Sequence, residues 1–168
     1  MPDTQKEIYY ISAETSAQAL ASPHLEGFKS KNIPVLIMTD AIDQFWLPMV
    51  GSFKEKKFTS ITQGKINLDE LDSKNKDKKN KSNDDKDKQD KEYVDLIAQL
   101  KVVLGDQVKD IRLSSKLTDS PVCLVADEGD MDIAMEQLMA QRDSNYKGAP
   151  RILEINGDHS LIKNMKSL

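Results

Sequence analysis

The chain has a single cysteine, Cys123, among its 168 residues, so no disulfide can staple the fold and no second thiol can complete a metal knuckle. It reads as a small apolar filler. Nowhere do apolar residues run long enough to cross a bilayer, and Met1 is followed by Pro2, Asp3 and Thr4 instead of an apolar leader. The expected compartment is the cytoplasm, with no membrane partner. An excess of positive charge is also missing. The net charge is −4 and Lys and Asp are interleaved, which argues against nucleic acid as a partner, because phosphate neutralisation needs a segregated basic surface. The seven glycines are scattered and build no phosphate-cradling loop. His24 and His159 lie far apart, with no carboxylate or cysteine at ligand spacing, so neither a metal site nor a nucleophilic triad is expected. No constellation of acid, base and nucleophile emerges, and the chain is not expected to be an enzyme or to hold a cofactor.

With 38% hydrophobic residues the chain can bury a modest core, enough for one or two small domains. Between residues 72 and 91 apolar residues vanish and the sequence becomes Lys, Asp, Asn and Ser. Such a stretch cannot bury enough surface to offset its ordering entropy. It is expected to be a disordered linker with a span on the order of 25 Å, tethering two bodies without fixing their geometry. Residues 1–71 and 92–168 are those bodies.

In the first body, Glu7, Ile8, Tyr9, Tyr10 and Ile11 are strand formers with apolar residues on both faces. Ser22 and Pro23 start a helix that places Leu25 and Phe28 on one side. Residues 34–38 form a second buried strand. Asp40 is the expected cap of a further helix with Ile42, Phe45, Trp46 and Met49 as its apolar stripe. Strand, helix, strand, helix predicts a small parallel αβα layer, an α/β fold. In the second body, a helix over 93–104 stops at Gly105, strands follow at 108–113 and 122–126, a helix runs over 130–142, a third strand spans 152–155, and a short helix closes at 159–165. This is an α+β pattern around a small sheet.

Asp40 and Asp43 read as helix-start charges complementing the dipole, not as an acid–base pair. Asp127, Glu128, Asp130 and Asp132 likewise read as capping residues, since the twelve-residue calcium frame is absent. Met131, Met135, Leu138 and Met139 recur at helical spacing as a thioether-rich stripe. Spacing alone leaves two readings open, ordinary core or an exposed and adaptable binding surface.

Several stretches are similar to the heat-shock protein 90 family of ATP-driven chaperones, in its bacterial HtpG type, and together they cover nearly the whole chain outside the linker. Residues 6–11, 22–26 and 34–43 resemble the family's smaller middle-domain subdomain, 108–121 the opening of its C-terminal domain, and 151–156 the strand leading to its final helices. Gly157 stands where a proline is usual, which is expected to loosen the turn. The resemblance implies that the exposed amphipathic client-contacting helix falls on Met131, Met135, Leu138 and Met139, with Ala134 extending the apolar patch, and that an aromatic client contact falls on Phe45 with Trp46 beside it. It further implies that ATP and magnesium are handled by domains before Met1 and that the helices making the family's homodimer follow Leu168. The chain is therefore expected to be a monomeric chaperone fragment that binds unfolded or partly folded clients without nucleotide. An inert or assembly-only remnant docking to other chaperone parts is the alternative.

Overall fold

The computed structural model describes residues 5–64, 66–68, 92–143 and 146–166, and the segment read as a linker, 72–91, lies outside them. Strand β1 (Glu7–Ser12) leads into helix α1 (Ser16–Leu20), a 3-10 turn (Pro23–Leu25) and helix α2 (Glu26–Ser30) before β2 (Val35–Met38). Thr15 and Gln18 form a capping box at α1, and Ser22 accepts from the His24 amide ahead of Pro23. β1 and β2 pair in parallel, Tyr9 opposite Val35, which requires the helical crossover the sequence provides. Phe28 from α2 tilts against Tyr9 with ring centroids 5.0 Å apart, and both join Ile11, Leu25, Ile61 and Leu68 in one buried cluster.

Three elements of this half were not foreseen: α1, and the hairpin β3 (Ser52–Phe53) with β4 (Lys56–Ser60) that follows α3 (Asp43–Val50). β4 adds to β1 in parallel on the side away from β2, giving the order β2-β1-β4-β3. The hairpin turns on Lys54 and Glu55, both with positive φ, 48° and 64°, a conformation ordinarily signalled by Asn-Gly or Asp-Gly. The expected cap of α3 is corrected as well. Ile42 occupies the N-cap and offers no side-chain bond. The carboxylate at work is Asp43, whose Oδ2 accepts from the Asp40 amide at 3.3 Å.

The second half contains α4 (Val94–Leu104), β5 (Val108–Leu113), β6 (Val122–Val125), α5 (Ile133–Arg142), β7 (Arg151–Ile155) and α6 (Ser160–Lys166). β7 lies centrally, parallel to β5 and antiparallel to β6. Leu96, Ile111, Ile155 and Ile162 pack with Tyr93 in its core. β6, apolar throughout in sequence, alternates in space: Cys123 and Val125 are buried, Val122 and Leu124 exposed. The turn at Gly157 is not loose. Its carbonyl accepts from the Tyr93 hydroxyl at 2.6 Å, and a Cβ there would stand 3.0 Å from the Tyr93 ring.

The two halves are docked along a polar seam. Residues following β4 extend the second sheet: Ala126 N donates to Thr62 O at 2.9 Å and Gly64 N to Ala126 O at 2.8 Å. Glu26 Oε2 accepts from the amides of Thr118, Asp119 and Ser120 at 2.9–3.1 Å. Gly27 permits the close approach, since a Cβ there would lie 2.6 Å from the Lys116 carbonyl oxygen.

Candidate binding surface

Helix α5 carries the methionine stripe, and its orientation is set by charge. Asp132 is the N-cap, its Oδ1 accepting from Ala134 N at 2.9 Å, as the capping reading expected. Asp127 and Asp130 bind Lys109 at 2.8 and 2.9 Å, and no group of acidic, histidine or cysteine side chains suited to a metal occurs among the described residues. The residue that α5 buries is Glu136, which pairs with Arg151 and accepts from Ala149 N at 2.6 Å. Turning Glu136 inward moves the apolar side chains to the flanks. Met131 is 40% exposed. Met135, Leu138 and Met139 are half-buried, and none of the four belongs to a buried cluster of the described residues.

Helix α3 is anchored by Leu47, which is buried, while Ile42, Phe45 and Met49 of its expected stripe are exposed. Phe45 is exposed. Trp46 is half-buried and committed to its own body: its indole N–H donates to Asp43 Oδ1 at 2.7 Å and its ring meets Phe58 edge-on at 5.9 Å. Sequence reasoning did not single out Ile42, Met49 and Phe53 as site residues, yet they are 64%, 86% and 58% exposed. For Met49 a signal was Pro48 directly before it, since a proline inside a helix disfavours its continuation.

A groove of about 280 Å³ lies between the two helices, lined by Thr39, Ala41 and Gln44 at the start of α3 and by Ala134, Gln137 and Leu138 of α5; of the apolar side chains named above, only Leu138 lines it. Gln141 reaches Glu14 across it at 3.4 Å. A larger cleft of about 850 Å³ lies alongside, with Ile11, Ile133 and Leu153 in its walls together with His24 and Cys123. Burial, and then the Lys116 charge, push the His24 imidazole down to about 4, so it is neutral at pH 7. Burial, and then Glu154, push the Cys123 thiol up to about 12, which makes it the inert filler expected and no nucleophile. No helix among the described residues is long and apolar enough to cross a membrane.

The family model described as Hsp90 protein matches residues 1–168. The chain is 42% identical over 158 residues to Chaperone protein HtpG of Roseobacter denitrificans, covering 94% of this chain and 25% of that one. It is 41% identical to the protein of the same name from Wolbachia pipientis, covering 99% of this chain and 26% of that one. Against that of Streptomyces coelicolor it is 38% identical, with 98% and 25% covered. The chain thus spans about a quarter of the length of the curated relatives it matches.

Proposed function

Because this chain belongs to the Hsp90 protein family, we propose that it is a client-contacting part of a molecular chaperone, one that holds non-native polypeptide on apolar surface by itself and without nucleotide. ATP binding and hydrolysis, on this reading, are the work of other domains that act on this one. The observation that carries it is the set of unburied apolar side chains at α3 and α5, Ile42, Phe45 and Met49 at the first and Met131, Met135 and Met139 at the second. A side chain such as Met49 or Ile42 left in water forgoes roughly 1.5–3 kcal/mol of burial, a cost recovered only when a partner covers it. Methionine suits partners of varied shape, because its unbranched and polarisable side chain repacks readily. Docked on a polar seam, the two halves offer both surfaces at once.

Suppression of aggregation tests this directly. Stoichiometric chain is expected to slow aggregation of a heat-denatured globular protein in the absence of nucleotide. Met49→Asp and Met135→Asp, which place charge where client would be desolvated, are each expected to weaken the effect several-fold with folding unchanged. Unaltered aggregation in the presence of the parent chain would sink the proposal.

A further inference from the structure

The carboxylates of Asp132 and Glu136, one turn apart, tie helix α5 to different parts of the molecule. Glu136 ties it to its own sheet through Arg151 of β7. Asp132 ties it to the other half. While Oδ1 caps the helix, Oδ2 accepts from Thr62 Oγ1 at 2.7 Å and from Ser60 Oγ. Those hydroxyls are buried, 4% and 7% exposed for Ser60 and Thr62, and stand 2.9 Å from one another. Ser60 is the last residue of β4, the strand whose hairpin partner β3 directly follows α3. An unbroken path therefore runs from the apolar surface of α3 through the hairpin to the first turn of α5.

Capping needs one acceptor, and a serine or threonine supplies it. A carboxylate whose second oxygen is bonded to two buried hydroxyls of a segment some seventy residues away does more than cap. We infer that Asp132 is a positioning residue that fixes α5 against the end of β4, so that the α3 and α5 surfaces grip one non-native polypeptide together. This rests on the function proposed above. Two weak sites held at a fixed separation act at high effective concentration on one chain, and two sites that drift act singly. Without Asp132 the helix loses its bonds to Ser60 and Thr62, and the Glu136–Arg151 pair and the exposed Gln141–Glu14 contact are left to hold it.

The test measures binding of the whole chain to a reduced, carboxymethylated globular protein that cannot refold, labelled with a fluorophore. Asp132→Ser keeps a capping hydroxyl but is too short to reach Thr62. Asp132→Asn keeps the cap and offers an amide to the two hydroxyls. Asp132→Ser is expected to weaken binding roughly tenfold and Asp132→Asn by less than about twofold. The decisive readout is coupling. In the parent, Met49→Asp and Met135→Asp each cost roughly tenfold, whereas on the Asp132→Ser background each costs no more than about twofold, because either surface then binds alone. A purely structural role for Asp132 would lower helix content by circular dichroism and leave those ratios unchanged. That result overturns the inference while the proposed function stands. If neither methionine substitution weakens binding in the parent, the proposed function itself fails. Should Asp132→Ser not fold, the paired change Ser60→Ala with Thr62→Val cuts the same link from the other side, and the same ratios decide.

Discussion

His24 sits 8% exposed with no hydrogen-bond partner for Nδ1, facing the same interior that holds the Lys116 ammonium. Burial first and that cation second lower its proton affinity from the ordinary 6.5 to about 4. The sign follows. Between those two values the unfolded chain takes up a proton that the folded one refuses, so stability is complete above about pH 6.5 and falls as pH drops toward 4, by on the order of 3 kcal/mol. Urea unfolding at pH 7 and pH 4.5 is expected to show a steeper acid loss for the parent than for His24→Leu, and equal losses would contradict the buried neutral imidazole. The sequence places no carboxylate or cysteine at ligand spacing from His24. It could not show that the ring is buried beside an ammonium group 92 positions away in the chain. Phe45 and Trp46 illustrate the same limit: adjacent aromatics on one helix diverge because Phe58, contributed by an unforeseen strand, receives only the second ring.

At the scale of elements, β7 is the hub. Its Glu154, 3% exposed, accepts from Arg112 at 2.7 and 3.0 Å and from the Ser114 hydroxyl at 3.0 Å, and stands 3.7 Å from Lys116 Nζ. Lys116 in turn donates to the Ile61 carbonyl at 3.3 Å in the other half, and burial lowers its proton affinity. Removing the two partners should differ in effect. Glu154→Leu strands two cations in a buried seam, a loss of about 3–5 kcal/mol, whereas Lys116→Met leaves Glu154 satisfied by Arg112 and Ser114 and costs under about 2 kcal/mol. Denaturant titration of both variants checks this, and equal losses would refute the asymmetry. The β6 and β7 strands were legible as apolar runs after Pro121 and Pro150, and β5 from the imperfect alternation of residues 108–113. The β3–β4 hairpin was not, because Lys54-Glu55 carries none of the usual residues for positive φ. α5 was legible as a helix, but its spacing left Met135 open to core or surface, and the inward turn of Glu136 toward Arg151 sets it on the flank.

Among the described residues the two halves are joined by a seam and not by a shared apolar core, since their buried apolar clusters are separate. The seam is nevertheless dense in hydrogen bonds, between Glu26 and the 118–120 amides and between Thr62 and Ala126. Both halves are therefore expected to unfold in one transition, with hydrogen exchange at β1 and β7 amides giving coincident midpoints. Gly27→Val, which drives a side chain into the Lys116 backbone and Leu68, should lower stability and separate those midpoints. Two transitions in the parent chain would show the docking to be weak.

The sequence alone determined which residues form most helices and strands, where Pro23 and Gly105 start and stop them, and which family the chain resembles, because those signals are local or lie in contiguous motifs. Only the tertiary structure decided which side of α3 and α5 meets water, how the halves dock, and that the second oxygen of Asp132 belongs to Ser60 and Thr62. A side chain's periodicity fixes its place on its own element, whereas its partner depends on where the rest of the chain arrives in space.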